Sequence, residues 1–527
     1  MNKDAPNYDK KKLLFVVNEA GEFVELKRVA LAAKLQGYEI IFLFAQPGYI
    51  NLNRDRYFCQ VNGFKDYFPG KKTTKSSNEK LYQQKAEMLQ DGYVPHSFLE
   101  GRTSLLHIGR IATIVLALIT IPALIFISLI AVRVDAGDKV RKSGSFRYIK
   151  SLLFAKTVLD KTRPDLIIFG QEFPGSPNAL LTKLCSKYGT PTLIIPFAVG
   201  TTREMVESLG DKSDYEVGSS LLNRMAAYLF PHWVNYYAGK RLLRLPGKTI
   251  IILEVLGLAP EHPWLPNNSR ATRIAVESPE MMRYHSRMRF PESQLRLTGA
   301  AYDDVLAGAA QSAQVQKQKL CRRLHINSEK PLLVCAWPTN QFGSRFTLLE
   351  FNNYEQLCQA WARALSSVAE HTEFNIVIRP HPVTDPEFLI RILKPYQLHK
   401  NITDIDTLEL VPFSDLFVAC VSSTLRWAIA CGIPAVNYDC YTYGYTDFDS
   451  AKGVSTVQRY ADFELVLKHL TENPEAYAEA RSLQAECSAD WGIHDGRSME
   501  RILKLIGELI DNSAISIAIP EITINKS

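Results

Sequence analysis

The chain holds three short stretches whose residue types suit phosphate chemistry. Arg379-Pro380-His381-Pro382 closes the run NIVIRPHP. Arg379 can pair with a phosphate, and His381 can donate a hydrogen bond to one or protonate it. The two prolines stiffen the backbone and would hold the direction of His381. Ser422-Ser423-Thr424 closes DLFVACVSST and runs into a helical pattern. Hydroxyls and free backbone N–H groups at a helix start can bind an anion. Asp439 closes the third stretch, IPAVNYD. Each motif also has a plain structural reading, Ser-Ser-Thr as a helix cap and His381 as a turn residue. Their position at the ends of neighbouring apolar runs favours a site.

Those runs are the elements that must position the residues. Ile376–Ile378, Leu416–Val421 and Ile433–Tyr438 are short and apolar, with a helical pattern between the last two. This order predicts a parallel sheet with helices on its faces. Ligands of such sheets sit outside the carboxyl ends of the strands, where His381, Ser422 and Asp439 fall. Upstream, PLLVCA (331–336) is a further strand, and its loop WPTNQFGSRF brings Thr339, Asn340, Gln341 and Ser344 towards the same edge. A mere turn explains N-Q-F-G equally well.

RPHP followed by SST-x-x-W-A-x-x-x-G-I-P-A-V resembles the donor half of GT-B glycosyltransferases that build surface polysaccharides. It is similar to the HP and serine motifs of bacterial polysialyltransferases, capsule Kdo transferases and CDP-glycerol polymerases, and more weakly to UDP-GlcNAc 2-epimerases. Thr298-Gly299-Ala300-Ala301-Tyr302-Asp303 resembles the family's T-G-N-P-x-x-D turn, with two alanines in place of Asn and Pro. D-G-x-x-x-x-R-I, from Asp495, resembles its closing helix, which packs back on the first domain. The resemblance implies two Rossmann-like α/β domains facing across a cleft. It also implies a nucleotide-sugar donor, a CMP-sugar first, held by Arg379, His381, Ser422, Ser423, Thr424, Asn340, Gln341 and Asp439. No resident metal or cofactor is expected.

The first half would supply the acceptor domain and a base. KLLFVV (12–17) and EIIFLFA (39–45) are strands flanking a helical pattern, and no G-x-G-x-x-G accompanies them. Glu19 and Glu22 lie in the first turn, and Glu172 follows the strand DLIIFG (165–170). Any of the three could deprotonate an acceptor hydroxyl. Each could equally be an acidic residue at a helix start or a solvated turn.

Between these strands lies an insertion, 70–150. Its run IATIVLALITIPALIFISLIAV (111–132) carries no charge and approaches the length of a membrane span. Pro122 interrupts its middle, and Arg102, Arg110, Arg133, Lys139, Arg141 and Lys142 flank both ends. Basic flanks on both sides predict a monotopic element that dips in from the cytoplasmic face and returns. A transmembrane helix is the alternative. Over 215–258, Tyr228, Phe230, Trp233, Tyr236 and Tyr237 interleave with Arg224, Lys240, Arg241 and Arg244, which suits a second interfacial segment or equally an amphipathic helix packed on the protein. Its apolar strip 249–258 reads as a strand or as part of that surface.

Length and composition bound the rest. A chain of 527 residues accommodates two domains and an insertion. A formal charge of +6 with no aromatic-basic module gives no argument for nucleic acid. Nine cysteines without paired spacing read as small core residues in a reducing compartment. The polar start shows no cleavable secretory signal. The expected organisation is an N-terminal domain over 1–69 and 151–269, a donor domain over 270–510 and a tail over 511–527. The expected protein is a membrane-associated glycosyltransferase on the cytoplasmic face of the cell membrane. Its acceptor would be a lipid-linked or polysaccharide chain, with membrane lipid and polysaccharide assembly proteins as partners. Rivals are a CDP-glycerol-type phosphotransferase or UDP-sugar epimerase on the same fold, and a non-catalytic membrane scaffold.

Overall fold

The apolar runs pair as parallel strands in two sheets. The computed structural model describes residues 10–46, 51–68, 144–197 and, with short breaks, 206–517. The apolar run 111–132 and most of the insertion lie outside the described residues. Among the described residues no helix is long and apolar enough to cross a membrane.

The strands before the second sheet are β1 Lys12–Val17, β2 Glu39–Phe44, β3 Lys65–Tyr67, β4 Leu166–Phe169, β5 Thr192–Ile194, β6 Val234–Tyr237, β7 Lys240–Leu243, β8 Arg273–Val276 and β9 Leu295–Leu297. Seven of them form the first sheet, in the order β3-β2-β1-β4-β5-β8-β9. The second sheet holds β10 Leu332–Ala336, β11 Asn375–Arg379, β12 Leu416–Ala419, β13 Ala435–Tyr438 and β14 Val454–Val457, in the order β11-β10-β12-β13-β14. Every pairing within these two sheets is parallel. Both orders are doubly wound, with the direction reversing between β1 and β4 and between β10 and β12.

Burial on both faces explains why these strands read as unbroken apolar runs. Leu13, Phe15 and Val17 point to one core and Leu14 and Val16 to the other. Leu333 and Cys335 divide from Leu332 and Val334 in the same way. The helix Ala20–Leu35 covers the first face through Phe23, Leu26, Val29, Ala30 and Ala33. Beside it lies the last helix, Ser498–Ile517, whose Ile502, Leu505, Ile506 and Leu509 belong to the same core.

Several placements differ from the sequence reading. β8 and β9, grouped there with the donor half, extend the first sheet through Leu193↔Arg273 and Ile274↔Leu295. Apolar runs announce strands but not which sheet edge they join. The strip 249–258 is a helix, Gly247–Val255, with Ile250, Ile251 and Leu253 buried. Between β5 and β8 it packs with the helix Leu221–Leu229 and the antiparallel hairpin β6–β7.

The chain passes between the sheets twice, at 298–303 and 492–498, and the passages are tied together. Asp303 accepts N–H bonds from Ala300 (2.9 Å) and Ile493 (3.2 Å). Asp304 accepts from the N–H groups of Ser498 and Met499, 2.8 and 2.9 Å, and so caps the last helix from a distance. Gly299, at φ 82°, has no room for a side chain: a Cβ would lie 2.1 Å from Ser498 Oγ.

Candidate functional site

The candidate residues of the first domain gather where β1 and β4 end. Glu22 is fully buried on the first turn of the helix Ala20–Leu35. One carboxylate oxygen accepts from the N–H of Asn18 (2.6 Å). The other accepts from Gly170 N–H (2.8 Å), Gln171 N–H (3.3 Å) and Asn178 Nδ2 (3.3 Å). Glu22 therefore buttresses the turns after both strands. Burial pushes its pKa up to about 7, with Glu19 adding to the rise and the backbone N–H groups opposing it. Gly170 is required beside it, since a Cβ there would strike Glu22 Cγ at 2.4 Å.

Glu172 faces the interior. It is 1% exposed, and its Oε2 accepts from Thr182 Oγ (2.7 Å) on the helix Pro177–Tyr188. A base must reach its substrate, so this orientation argues against that role. Turn carboxylates are usually solvated, and nothing in the local sequence signals this inward turn. Glu19 remains half-buried at the cleft edge, N-terminal to the helix, with Gln171 Nε2 donating to it. Of the three carboxylates it alone keeps an open face.

In the second domain, Arg379 ends β11 and His381 follows two residues later. The Arg379 guanidinium donates to Pro380 O, and its Nε is buried without a partner among the described residues. His381 is exposed overall, with its ring crowded by neighbouring protein atoms. That desolvation, with the positive charge of Arg379, pushes its pKa down to about 4. The ring is thus neutral at pH 7 and offers a hydrogen bond rather than a charge. An arriving phosphate would raise its pKa.

Ser422, Ser423 and Thr424 occupy the switch point, and their backbone turn is strained. Val421, expected to end the strand, instead adopts φ 42°, a conformation costly for a β-branched residue. Its N–H is held by Asn437 Oδ1 at 2.8 Å. The hydroxyls of Ser422 and Thr424 lie 2.8 Å apart, and Ser423 is exposed. The following helix, Leu425–Ala430, has six residues. It is too short to supply much dipole, so contact with an anion would fall to the hydroxyls rather than to the helix start.

Asn340 and Gln341 follow β10, on the other side of this switch point. Tyr441 OH donates to Thr339 O (2.6 Å), and Tyr443 OH donates to Gln341 Oε1. A shallow hollow lined by Asn340, Phe342, Asn353, Tyr354 and Phe388 opens beside the loop. Asp439 does not point into the site. It is fully buried, and its oxygens accept from Tyr443 N–H (2.8 Å), Gly444 N–H (2.7 Å) and Gln458 Nε2 (3.0 Å). It shapes the loop that carries the two tyrosines, in place of the expected contact with donor. Cys420 directly follows β12 and Cys440 lies two residues beyond β13, with their sulfurs 3.3 Å apart.

The two carboxyl edges meet through a pair the sequence does not announce. Arg426, just beyond the Ser-Ser-Thr turn, donates to Glu277, just beyond β8, and each side chain is 2% exposed. Arg426 also lies over the Tyr302 ring at 5.2 Å. The partners are 149 residues apart, so no local pattern could have found them. Among the described residues no group of three His, Cys, Asp or Glu side chains could hold a metal ion.

Fold and site together define a two-domain parallel α/β protein whose candidate residues line the carboxyl edges of both sheets. No protein-family model matches the chain, and no curated protein sequence matches it. Solved structures do resemble it. CalG4, the calicheamicin glycosyltransferase, aligns over 95% of this chain and 99% of its own at 12% identity, TM-score 0.49. S. aureus MnaA, solved with UDP, aligns over 95% and 97% at 12% identity, TM-score 0.49. UDP-GlcNAc 2-epimerase from Neisseria meningitidis, bound to UDP-GlcNAc, aligns over 94% and 100% at 12% identity, TM-score 0.47. At these identities and scores the likenesses bear on neither reaction nor ligand.

Proposed function

We propose that this chain is a GT-B glycosyltransferase that moves a sugar from a nucleotide-sugar, a CMP-sugar first, to a lipid-linked or polysaccharide acceptor. One observation carries the reading. Arg379, His381 and Ser422–Thr424 stand at the carboxyl edge of one parallel sheet, and the buried Arg426–Glu277 pair joins that edge to the carboxyl edge of the other. β10 lies between β11 and β12, which puts His381 and Ser422 two strand spacings apart, on the order of 10 Å. A nucleotide phosphate and its sugar can bridge that distance.

In this reading Glu19 takes the proton from an acceptor hydroxyl. The hydroxyl oxygen bonds to the anomeric carbon as the bond from that carbon to the phosphate oxygen breaks. The nucleotide leaves with the electron pair. Arg379, neutral His381 and the serine hydroxyls stabilise the charge that develops on it. Protein groups rather than a resident metal do this work. Membrane attachment at the cytoplasmic face belongs to the same proposal. The helix Leu221–Leu229 supports it by an inverted arrangement: Asn223, Ala226 and Ala227 are buried, whereas Leu221, Leu222 and Tyr228 are exposed by 66%, 45% and 84%. Confinement to a surface would concentrate a lipid-anchored acceptor.

The test is a thermal-shift screen of the detergent-solubilised protein with CMP, CDP, UDP, UMP and GDP, repeated on His381→Ala. A shift with one nucleotide, lost in the variant, is expected. No shift with any nucleotide, or one unchanged in His381→Ala, overturns the reading.

A further inference from the structure

Arg244 is a half-buried cation that has no counter-charge among the described residues. It directly follows β7, in which Leu243 packs with Trp233 and Ile250 while Leu242 packs on the other side with Val206, Leu209 and Trp264. Strand alternation turns Arg244 to the side of Leu242. Phe173 and Tyr215 border that side. Among the described residues no carboxylate pairs with Arg244, and Tyr215 is the titratable group that acts on it. Its Nε is buried and unpartnered, and so is the indole Nε1 of Trp264. Both atoms are donors, and neither side chain carries an acceptor, so they cannot satisfy each other. Burial lowers the Arg244 pKa to about 10, which leaves it charged at pH 7.

The position is as specific as the charge. Phe173 follows Glu172 in the loop after β4. Leu245 packs against Gly175 of the same loop, its Cδ2 only 2.8 Å from where a Cβ would stand. The unpartnered donors therefore border the carboxyl edge of the first sheet, on the side assigned above to the acceptor. We propose that Arg244 and Trp264 form a subsite for an oxyanion, a carboxylate or a phosphate, carried by the acceptor. This rests on the transferase reading of the first domain. The guanidinium supplies the charge and the indole N–H a second hydrogen bond.

Thermal shifts of the full chain with inorganic phosphate and with acetate, at constant ionic strength, test this. The His381→Ala background removes the phosphate contribution of the second sheet. One or both anions should raise the melting temperature, and Arg244→Met should weaken the apparent affinity at least tenfold. Phosphate alone or acetate alone identifies the chemistry of the group. Without added anion, Arg244→Met should melt no lower than its parent, because it discards a cation whose Nε is buried without a partner among the described residues. Trp264→Phe removes only the indole N–H and should weaken the response severalfold, which covers the case of a misfolded Arg244→Met. An unchanged response in both variants, or no response to either anion, overturns the subsite. The nucleotide screen on Arg244→Met with His381 intact separates the two proposals, since its shift should be retained.

Discussion

The Arg426–Glu277 pair makes a measurable prediction about how the two domains hold together. Both side chains are 2% exposed, and Arg426 Nε and Glu277 Oε2 lack any other partner. Replacing Arg426 with Leu leaves Glu277 buried against an empty counter-charge. Breaking a buried pair from one side costs about 3–5 kcal/mol. Losing the contact with the Tyr302 ring, 5.2 Å from the guanidinium, adds about 1 kcal/mol. Glu277→Met should cost about 3–5 kcal/mol for the mirrored reason. The double variant removes both charges and their desolvation, so it should recover to within roughly 1–2 kcal/mol of the parent. Urea unfolding of all four proteins at pH 7, followed by circular dichroism, gives the coupling energy directly. The reasoning fails if Arg426→Leu alone costs less than about 1 kcal/mol, or if the double variant costs the sum of the singles.

Two further outcomes follow from the same geometry. The His381 ring should titrate near 4 in the free protein, against an ordinary value of 6.5, as read from its ring-proton shift by NMR. Because the fold disfavours the charged ring, the stability it supports is full above 6.5 and is lost as pH falls through about 4. A bound nucleotide should raise that pKa, and a titration at 6.5 in the free protein would remove the crowding argument. Ile506→Ala, at a fully buried position on the last helix, should cost about 2–5 kcal/mol in urea unfolding. A cost near zero would mean that this helix does not complete the first core.

The strands were legible because parallel strands buried on both faces leave unbroken apolar runs, as KLLFVV, EIIFLF and LLVCA do. What stayed hidden is what depends on distant parts of the chain. β8 and β9 join the first sheet through Leu193, some eighty residues upstream of the first of them. Glu172 turns inward because Thr182 waits on the next helix, and a turn carboxylate carries no sign of that. Asp439 looked like a ligand because it ends a strand, but the loop it closes uses both of its oxygens. A left-handed Val421 contradicts the preference of its own side chain, so only the finished fold reveals it. The RPHP and Ser-Ser-Thr stretches are compact in sequence and could be read there. Arg244 could not, because its meaning lies in the lack of a counter-charge among the described residues around it.

The last helix has a consequence for the order in which the protein assembles on the ribosome. All five strands of the second sheet lie between Leu332 and Val457, so that sheet can close while the chain is still being made. The first sheet cannot. Its core against the helix Ala20–Leu35 includes Ile502, Leu505, Ile506 and Leu509, which emerge several hundred residues after β1. Domains generally fold as units during synthesis, the earlier one first. Here the domain synthesised first is completed last. Until then its nascent apolar face, with Phe15, Phe42 and Phe44 at its centre, lacks its cover and is a surface for a chaperone to shield.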